Sequence, residues 1–424
     1  MANLVDKFGS LINDLVYSNP QGALKLLTIV YDLVGKQAHY FPDKSLLPSR
    51  QYIASVAANS IVNSLRHPEN SAIVSIFTPC EILHAMGIEP MFPEGLSCYL
   101  TSASSESPFI KIAEDNSVPE SFCSFHKILI GLVESNVLPK PKFIINTTLA
   151  CDANQLSFRR AANYYKTPHF LIDIPNNSST ESIEYVATQL KEMTSFIEKN
   201  SNLKLDEMKL KEAIGRSNRT IKNYKEYLKL RSTRYVSDTM TSEMLSAFAT
   251  HVLLGTNEAE EYTKQLIDNM KILPEETHGV RLLWVHTLPN WQKSLKEILN
   301  TNKRCEIVAC DMTFDSLYVD MDENTPYEAM AKRVLNCSFN GPSTRRINLI
   351  LKMAKEMNAD GIVYFCHWGC KQTIGSSQQA KTYFENNNFP TLVLDGDGCD
   401  SSNINDGQMV TRIEAFLEQL EDKK

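Results

Sequence analysis

No stretch of this 424-residue chain is apolar for the ~18–20 residues that a membrane helix requires. The most apolar runs, 72–77, 280–285 and 361–365, are strand length. The chain also lacks net positive charge: 43 Lys and Arg stand against 50 Asp and Glu, a formal charge of −7. Without a basic field to hold a polyanion, neither nucleic acid nor an anionic membrane surface is expected as a partner. The first residues, Met1-Ala-Asn-Leu-Val-Asp-Lys7, hold no basic segment followed by an apolar core, so no signal peptide is expected. Common ligand signatures are missing too. No G-x-G-x-x-G follows a strand and no G-x-x-x-x-G-K-[ST] occurs, which argues against a dinucleotide or ATP site. There is no G-x-S-x-G elbow. The expectation is a soluble cytoplasmic protein without an ATP site of its own.

Ten cysteines remain to be explained. A reducing compartment disfavours disulfides. Taken singly, each cysteine is a small buried hydrophobe. The question is whether several belong to one site.

The periodicities organise the chain. Leu4, Phe8, Leu11, Ile12 and Leu15 recur at helical spacing, as do Ala23, Leu26, Leu27, Val30, Leu33 and Val34, so residues 1–68 form an N-terminal helical segment. Short apolar runs then alternate with helical stretches over 69–178: strands at 72–77, 143–147 and 169–174, helices at 81–86, 127–133 and 154–164. Residues 179–275 read as helices throughout, and their lysines and arginines as a solvated face. Alternation resumes over 276–424, with strands at 280–285, 306–309, 361–365 and 391–394. Its helices fall near 327–335, 345–357, 378–386 and 407–420. The fold class is α/β: two doubly wound, flavodoxin- or Rossmann-like parallel-sheet domains with added N-terminal and central helices.

The two α/β regions echo one another. Cys123-Ser-Phe125 precedes a helix, a strand and Cys151, while Cys337-Ser-Phe339 precedes a helix, a strand and Cys366. The cysteines stand 28 residues apart in the first copy and 29 in the second. Open α/β sheets bind ligands beyond the carboxyl ends of their strands. Cys80, Cys151, Cys366 and Cys399 each follow a predicted strand. Cys123 and Cys337 are each expected to open a helix, where backbone N–H groups favour a thiolate. Cys366 and Cys370 flank His367-Trp-Gly369. Thiolates scattered over several loops suit an iron–sulfur cluster between domains better than a zinc ribbon, and the spacing is not that of a thioredoxin dithiol. Cys98 reads as core or surface and Cys305 as core at the start of a strand, Cys310 is undecided, and Trp368 is expected to pack as a shield. His126 and His367 adjoin candidate ligands and are weighed both as structural histidines and as proton donors.

These motifs resemble the 2-hydroxyacyl-CoA dehydratase / benzoyl-CoA reductase superfamily over most of the length. The matching stretches are Thr78-Pro-Cys-Glu-Ile-Leu-His-Ala-Met-Gly-Ile-Glu-Pro90, Cys123-Ser-Phe125, Thr148-Leu-Ala-Cys-Asp152, Asn340-Gly-Pro342 with Arg345-Arg346, and 407–416. Within it, Phe365-Cys-His-Trp-Gly-Cys-Lys-Gln-Thr373 and Asp395-Gly-Asp-Gly-Cys-Asp400 resemble the double-cubane cluster proteins. The resemblance implies a homodimeric, anaerobic reductase of small molecules. It would carry an [8Fe-9S] double-cubane cluster and be fed electrons by a separate ATP-hydrolysing, iron–sulfur activator. It implies Cys123, Cys151 and Cys366 as ligands of one cubane, and Cys80, Cys370 and Cys337 for the second, with Cys399 as rival to Cys337. His126, His367, Lys371 and Gln372 are the candidate catalytic residues. The alternatives are a dehydratase subunit with one [4Fe-4S] cluster and a non-catalytic electron carrier.

Overall fold

The structure, a computed structural model, describes residues 2–403 and 406–423, with side chains from residue 7 onward. Leu4, counted toward the first helical stripe, therefore has a side chain outside the described residues. The chain opens with helices Ala2–Ser18, Pro20–Tyr40 and Pro48–Arg66. Two four-stranded parallel sheets follow, separated in sequence by helices Thr180–Ser201, Glu207–Arg231, Met240–Thr250 and Asn257–Ile272.

The first sheet comprises β1 (Ser71–Val74), β2 (Glu89–Met91), β3 (Phe143–Thr147) and β4 (His169–Ile172), in the order β2-β1-β3-β4. The second comprises β5 (Val280–Val285), β6 (Cys305–Cys310), β7 (Gly361–His367) and β8 (Thr391–Gly396), in the order β6-β5-β7-β8. The two orders are the same, so the echo in sequence is an echo in topology. In each sheet the chain runs outward on one side of the first strand and then returns to its other side, which places a switch point at that strand's carboxyl end.

One strand is not apparent in the sequence pattern, and another is shorter than expected there. β2 is three residues long and contains Pro90, so neither periodicity nor propensity marks it. β1 ends at Val74, leaving Phe77 and Thr78 in the turn beyond.

Alternation along the strands divides the core. Val74, Ile145, Leu283, Val285, Ile362 and Tyr364 face the central helices through Leu190, Tyr224 and Leu266, forming one continuous core between the sheets. Ile73 and Ile144 point the other way, toward the N-terminal helices. Leu282, Trp284, Val363 and Phe365 pack on the C-terminal helix Asp406–Glu421 through Ile413, Phe416 and Leu417.

Buried charge joins the pieces. Glu81, after β1, is fully buried and pairs with Arg333, whose Nη2 lies 2.9 Å from Glu81 Oε2. Ser217 Oγ donates to the same carboxylate at 2.9 Å. Arg50 and Arg231 share Glu243 and Asp238 between the N-terminal and central helices. Among the described residues, no helix is long and apolar enough to cross a membrane.

Candidate functional site

A cavity of about 970 Å3 opens at the carboxyl ends of both sheets and reaches the N-terminal helices. Its wall is almost entirely apolar near Phe77, Phe92, Phe248 and Phe339, but five cysteines line it: Cys98, Cys123, Cys151, Cys310 and Cys370.

Local structure explains how three of these meet. Cys123 is the N-cap of helix Ser124–Glu134, and Cys151 is the N-cap of helix Asp152–Tyr165, which follows β3. Cys370 caps the short helix Lys371–Ile374, which follows β7. Cys151 and Cys370 therefore occupy the same position in the two sheets. Gly369 brings the second loop against the first. Its φ is +79°, and a Cβ there would stand 2.7 Å from the Cys123 backbone nitrogen and 2.8 Å from its Cα. Only glycine permits that approach in that conformation. Cys123 feels the charge of both Cys151 and Cys370, so the three thiols form one electrostatic group.

Each of the three has a histidine beside it. His367 Nε2 is 3.2 Å from Cys123 Sγ, His286 Nε2 is 3.5 Å from Cys370 Sγ, and His126 Nε2 is 4.0 Å from Cys151 Sγ. Burial pushes all three imidazoles below their ordinary pKa, with His126 reaching about 3. They are neutral at physiological pH. Burial also raises two thiols: Cys151 reaches about 11, and Cys123 is driven well above its ordinary value. A metal's own charge is what would deprotonate them.

Among the described residues, no three His, Cys, Asp or Glu side chains are close enough to share one metal ion. Thiols set around a large apolar cavity would suit a polynuclear group that spans them better than a single zinc ion.

Most of the other expected site residues lie elsewhere. Cys366 was expected in the loop beyond its strand, but β7 continues to His367. Alternation then turns Cys366 into the central core with Ile362 and Tyr364, while His367 faces the cavity. Cys80 is fully buried, with its Sγ on the Thr78 carbonyl at 3.2 Å. Cys337 closes helix Pro326–Asn336; it does not open a helix as expected, and its Sγ donates to Asp315 Oδ2 at 3.0 Å. Neither lines the cavity. Cys399 is fully buried beside Cys98, and Thr101 Oγ1 donates to its carbonyl at 3.2 Å. Cys305 lies in the core with its Sγ on the Ile298 carbonyl. Gln372 lines the cavity and donates to the Phe339 carbonyl at 2.8 Å. Lys371 is exposed and is not among the residues that line the cavity. Trp368 is 48% exposed and is not among the residues that line the cavity.

Two site residues escaped the sequence reading. His286 directly follows β5, so the strand-end rule applied to cysteines would have found it. Glu94 carried no signal beyond its Pro-Glu-Gly turn. Glu94 lines the cavity, its buried Oε2 has no hydrogen-bond partner, and burial raises its pKa to about 8. Its charge is felt at Cys151.

The family model described as HGD-D, 2-hydroxyglutaryl-CoA dehydratase, D-component, matches residues 75–420. The chain is 23% identical over 369 residues to an (R)-phenyllactyl-CoA dehydratase alpha subunit from Clostridium sporogenes, covering 82% of this chain and 88% of that one. It is 22% identical over 300 residues to the alpha subunit of (R)-2-hydroxyglutaryl-CoA dehydratase from Acidaminococcus fermentans, covering 67% and 61% respectively. It is 23% identical over 393 residues to a subunit of the benzoyl-CoA reductase from Thauera aromatica, covering 83% and 89%.

Proposed function

The chain belongs to the 2-hydroxyglutaryl-CoA dehydratase D-component family, and from that premise we propose that it is an iron–sulfur oxidoreductase fed low-potential electrons by a separate ATP-hydrolysing activator, which reduces a small molecule in the cysteine-lined cavity. The observation that carries this reading is the convergence of five cysteines, from both sheets, on one cavity.

Cys123, Cys151 and Cys370 are the proposed holders of a first cubane. Cys370 takes the place that the sequence assigned to Cys366, because Cys366 faces the core. When bound, such a cluster supplies one-electron transfer at low potential. Cys98 and Cys310 line the same cavity and are the donors a second cubane of the [8Fe-9S] double-cubane form would draw on, although the Cys310 sulfur rests on the His286 carbonyl at 3.3 Å and Cys98 lies beside Cys399. The sulfurs of Cys80 and Cys337 are engaged in the core, which favours the alternative, a 2-hydroxyacyl-CoA dehydratase subunit with a single [4Fe-4S] cluster.

The rest of the site excludes water and holds a proton. Phe77, Phe92, Phe248 and Phe339 keep the reacting volume dry. Glu94 keeps its proton at neutral pH because its carboxyl is buried, so it is the proposed acid. The buried histidines are neutral and do not fill that role. The relatives are named as subunits, and a homodimer of this chain is the proposed assembly.

Anaerobic purification with iron and sulfide quantitation tests this. About eight irons per chain support two cubanes and about four support one. Serine at 123, 151 or 370 is expected to remove iron, and full retention in Cys370→Ser overturns the assignment. Turnover with activator and ATP separates an enzyme from a non-catalytic electron carrier.

A further inference from the structure

The geometry points to His367 as a positioning residue that donates Nε2–H to Cys123 Sγ and so raises the reduction potential of a cluster held there, with His286 doing the same more weakly at Cys370. This rests on the three-cysteine reading above.

A histidine donates from Nε2 only if its other nitrogen fixes that tautomer. For His367 it does. The Gly398 backbone N–H donates to Nδ1 at 2.9 Å, so Nδ1 presents a lone pair and the ring proton sits on Nε2. Asp397 Oδ1 lies 3.6 Å from Nδ1 but does not compete, because it already accepts from Ser124 Oγ, Cys399 N–H and Asp400 N–H. Gly398 packs closely there: a Cβ would stand 2.7 Å from the Phe125 ring, which would have to shift. Phe125 packs edge-on against His367 with centroids 5.2 Å apart, which holds the ring plane. His367 is 1% exposed, so no water replaces either bond.

His286 is held differently: the Thr287 hydroxyl lies 3.2 Å from its Nδ1, where it can donate and leave the ring proton on Nε2. Its φ is +76°, a left-handed conformation uncommon for a non-glycine residue, and its backbone N–H donates to Asp311 Oδ1 at 2.6 Å. Arg346 pins Asp311 in turn, Nε to Oδ2 at 2.7 Å. The imidazole stacks 6.0 Å from His367, at 16° between planes, with Nε2 3.5 Å from Cys370 Sγ. The 4.0 Å separation at His126 makes that pair the weakest of the three.

A donor to a cluster sulfur stabilises the more electron-rich reduced form, so its removal lowers the potential. The test is an EPR-monitored redox titration of anaerobically purified protein, with iron quantified in the same samples. His367→Leu is expected to keep its iron and shift the midpoint downward the most. His286→Leu should shift it less and His126→Leu least, in the order of the distances. His367→Gln, whose amide N–H reaches the same sulfur, is expected to restore most of the shift. Retained iron with an unchanged potential in His367→Leu overturns the inference. Wild-type protein without iron overturns the cluster reading itself, and this inference with it. If His367→Leu does not fold, 15N shifts of His367 in the wild-type protein decide: a proton on Nε2 supports the proposal and a proton on Nδ1 refutes it.

Discussion

Gly369→Ala is the sharpest probe of how the site is assembled. Two effects separate cleanly, because another glycine isolates one of them. Gly87 also has positive φ, +69°, but a Cβ there meets nothing within 4 Å. Gly87→Ala therefore carries only the left-handed backbone term, about 1–2 kcal/mol. Gly369→Ala carries the same term at φ +79° and adds a collision at 2.7 Å with the Cys123 nitrogen and 2.9 Å with the Phe122 carbonyl carbon. Ordinary carbon contacts begin near 3.5–4.0 Å, so the loops must part by roughly 1 Å. Overpacking of that kind costs about 1–3 kcal/mol, which brings the total to about 2–5 kcal/mol. Urea unfolding of the metal-free proteins measures the difference, and iron content measures its consequence. The expected result is a larger destabilisation for Gly369→Ala than for Gly87→Ala, with iron lost only from the former. Equal midpoints, together with full iron in Gly369→Ala, would refute the idea that this close approach joins the two halves of the site.

Other predictions follow from the buried charges. Because burial raises Glu94 to about 8, the folded protein holds that proton more tightly than the unfolded chain. Its contribution to stability is present below the usual carboxyl range and is lost as pH rises toward 8, at up to about 1.4 kcal/mol per pH unit. Glu94→Gln should flatten that loss in thermal unfolding scans, and an unchanged pH profile would contradict it. Turnover is expected to fall above pH 8 in the wild type, while Glu94→Gln should be slow at every pH in a steady-state profile. Arg333→Met leaves Glu81 buried without its partner and should cost about 3–5 kcal/mol in denaturant unfolding. The double change with Glu81→Leu should recover most of that loss. In the exposed first turn of the C-terminal helix, Gly407 meets nothing within 4 Å, so Gly407→Ala should stabilise by up to about 1 kcal/mol in the same assay.

Much of the architecture was legible because β1, β3, β5, β6 and β7 are fully buried. A strand packed on both faces reads as a short continuous apolar run, and β3 and β5 fall where those runs lie. The repeat was visible through Cys-Ser-Phe, and the shared strand order gives it a structural meaning. The limit was at the strand ends. β7 looked complete at Phe365, yet its pairing with β8 continues through Cys366 opposite Asp395 and His367 opposite Gly396. Two more residues of ladder invert the roles of Cys366 and its neighbours, since side chains alternate across a strand. Cys98 and Cys310 were set aside or left undecided for a related reason: nothing in a helix or a strand terminus reveals what lies across a cavity.

Sequence by itself determined the class of the fold and the two-sheet repeat, since each rests on local periodicity and on spacing within one segment. Tertiary structure alone decided which cysteines meet. That choice depends on contacts between residues more than two hundred positions apart, such as Gly369 against Cys123 and His367 beside the same sulfur. Such contacts are set by how two sheets pack through shared helices, and no local pattern encodes that distance.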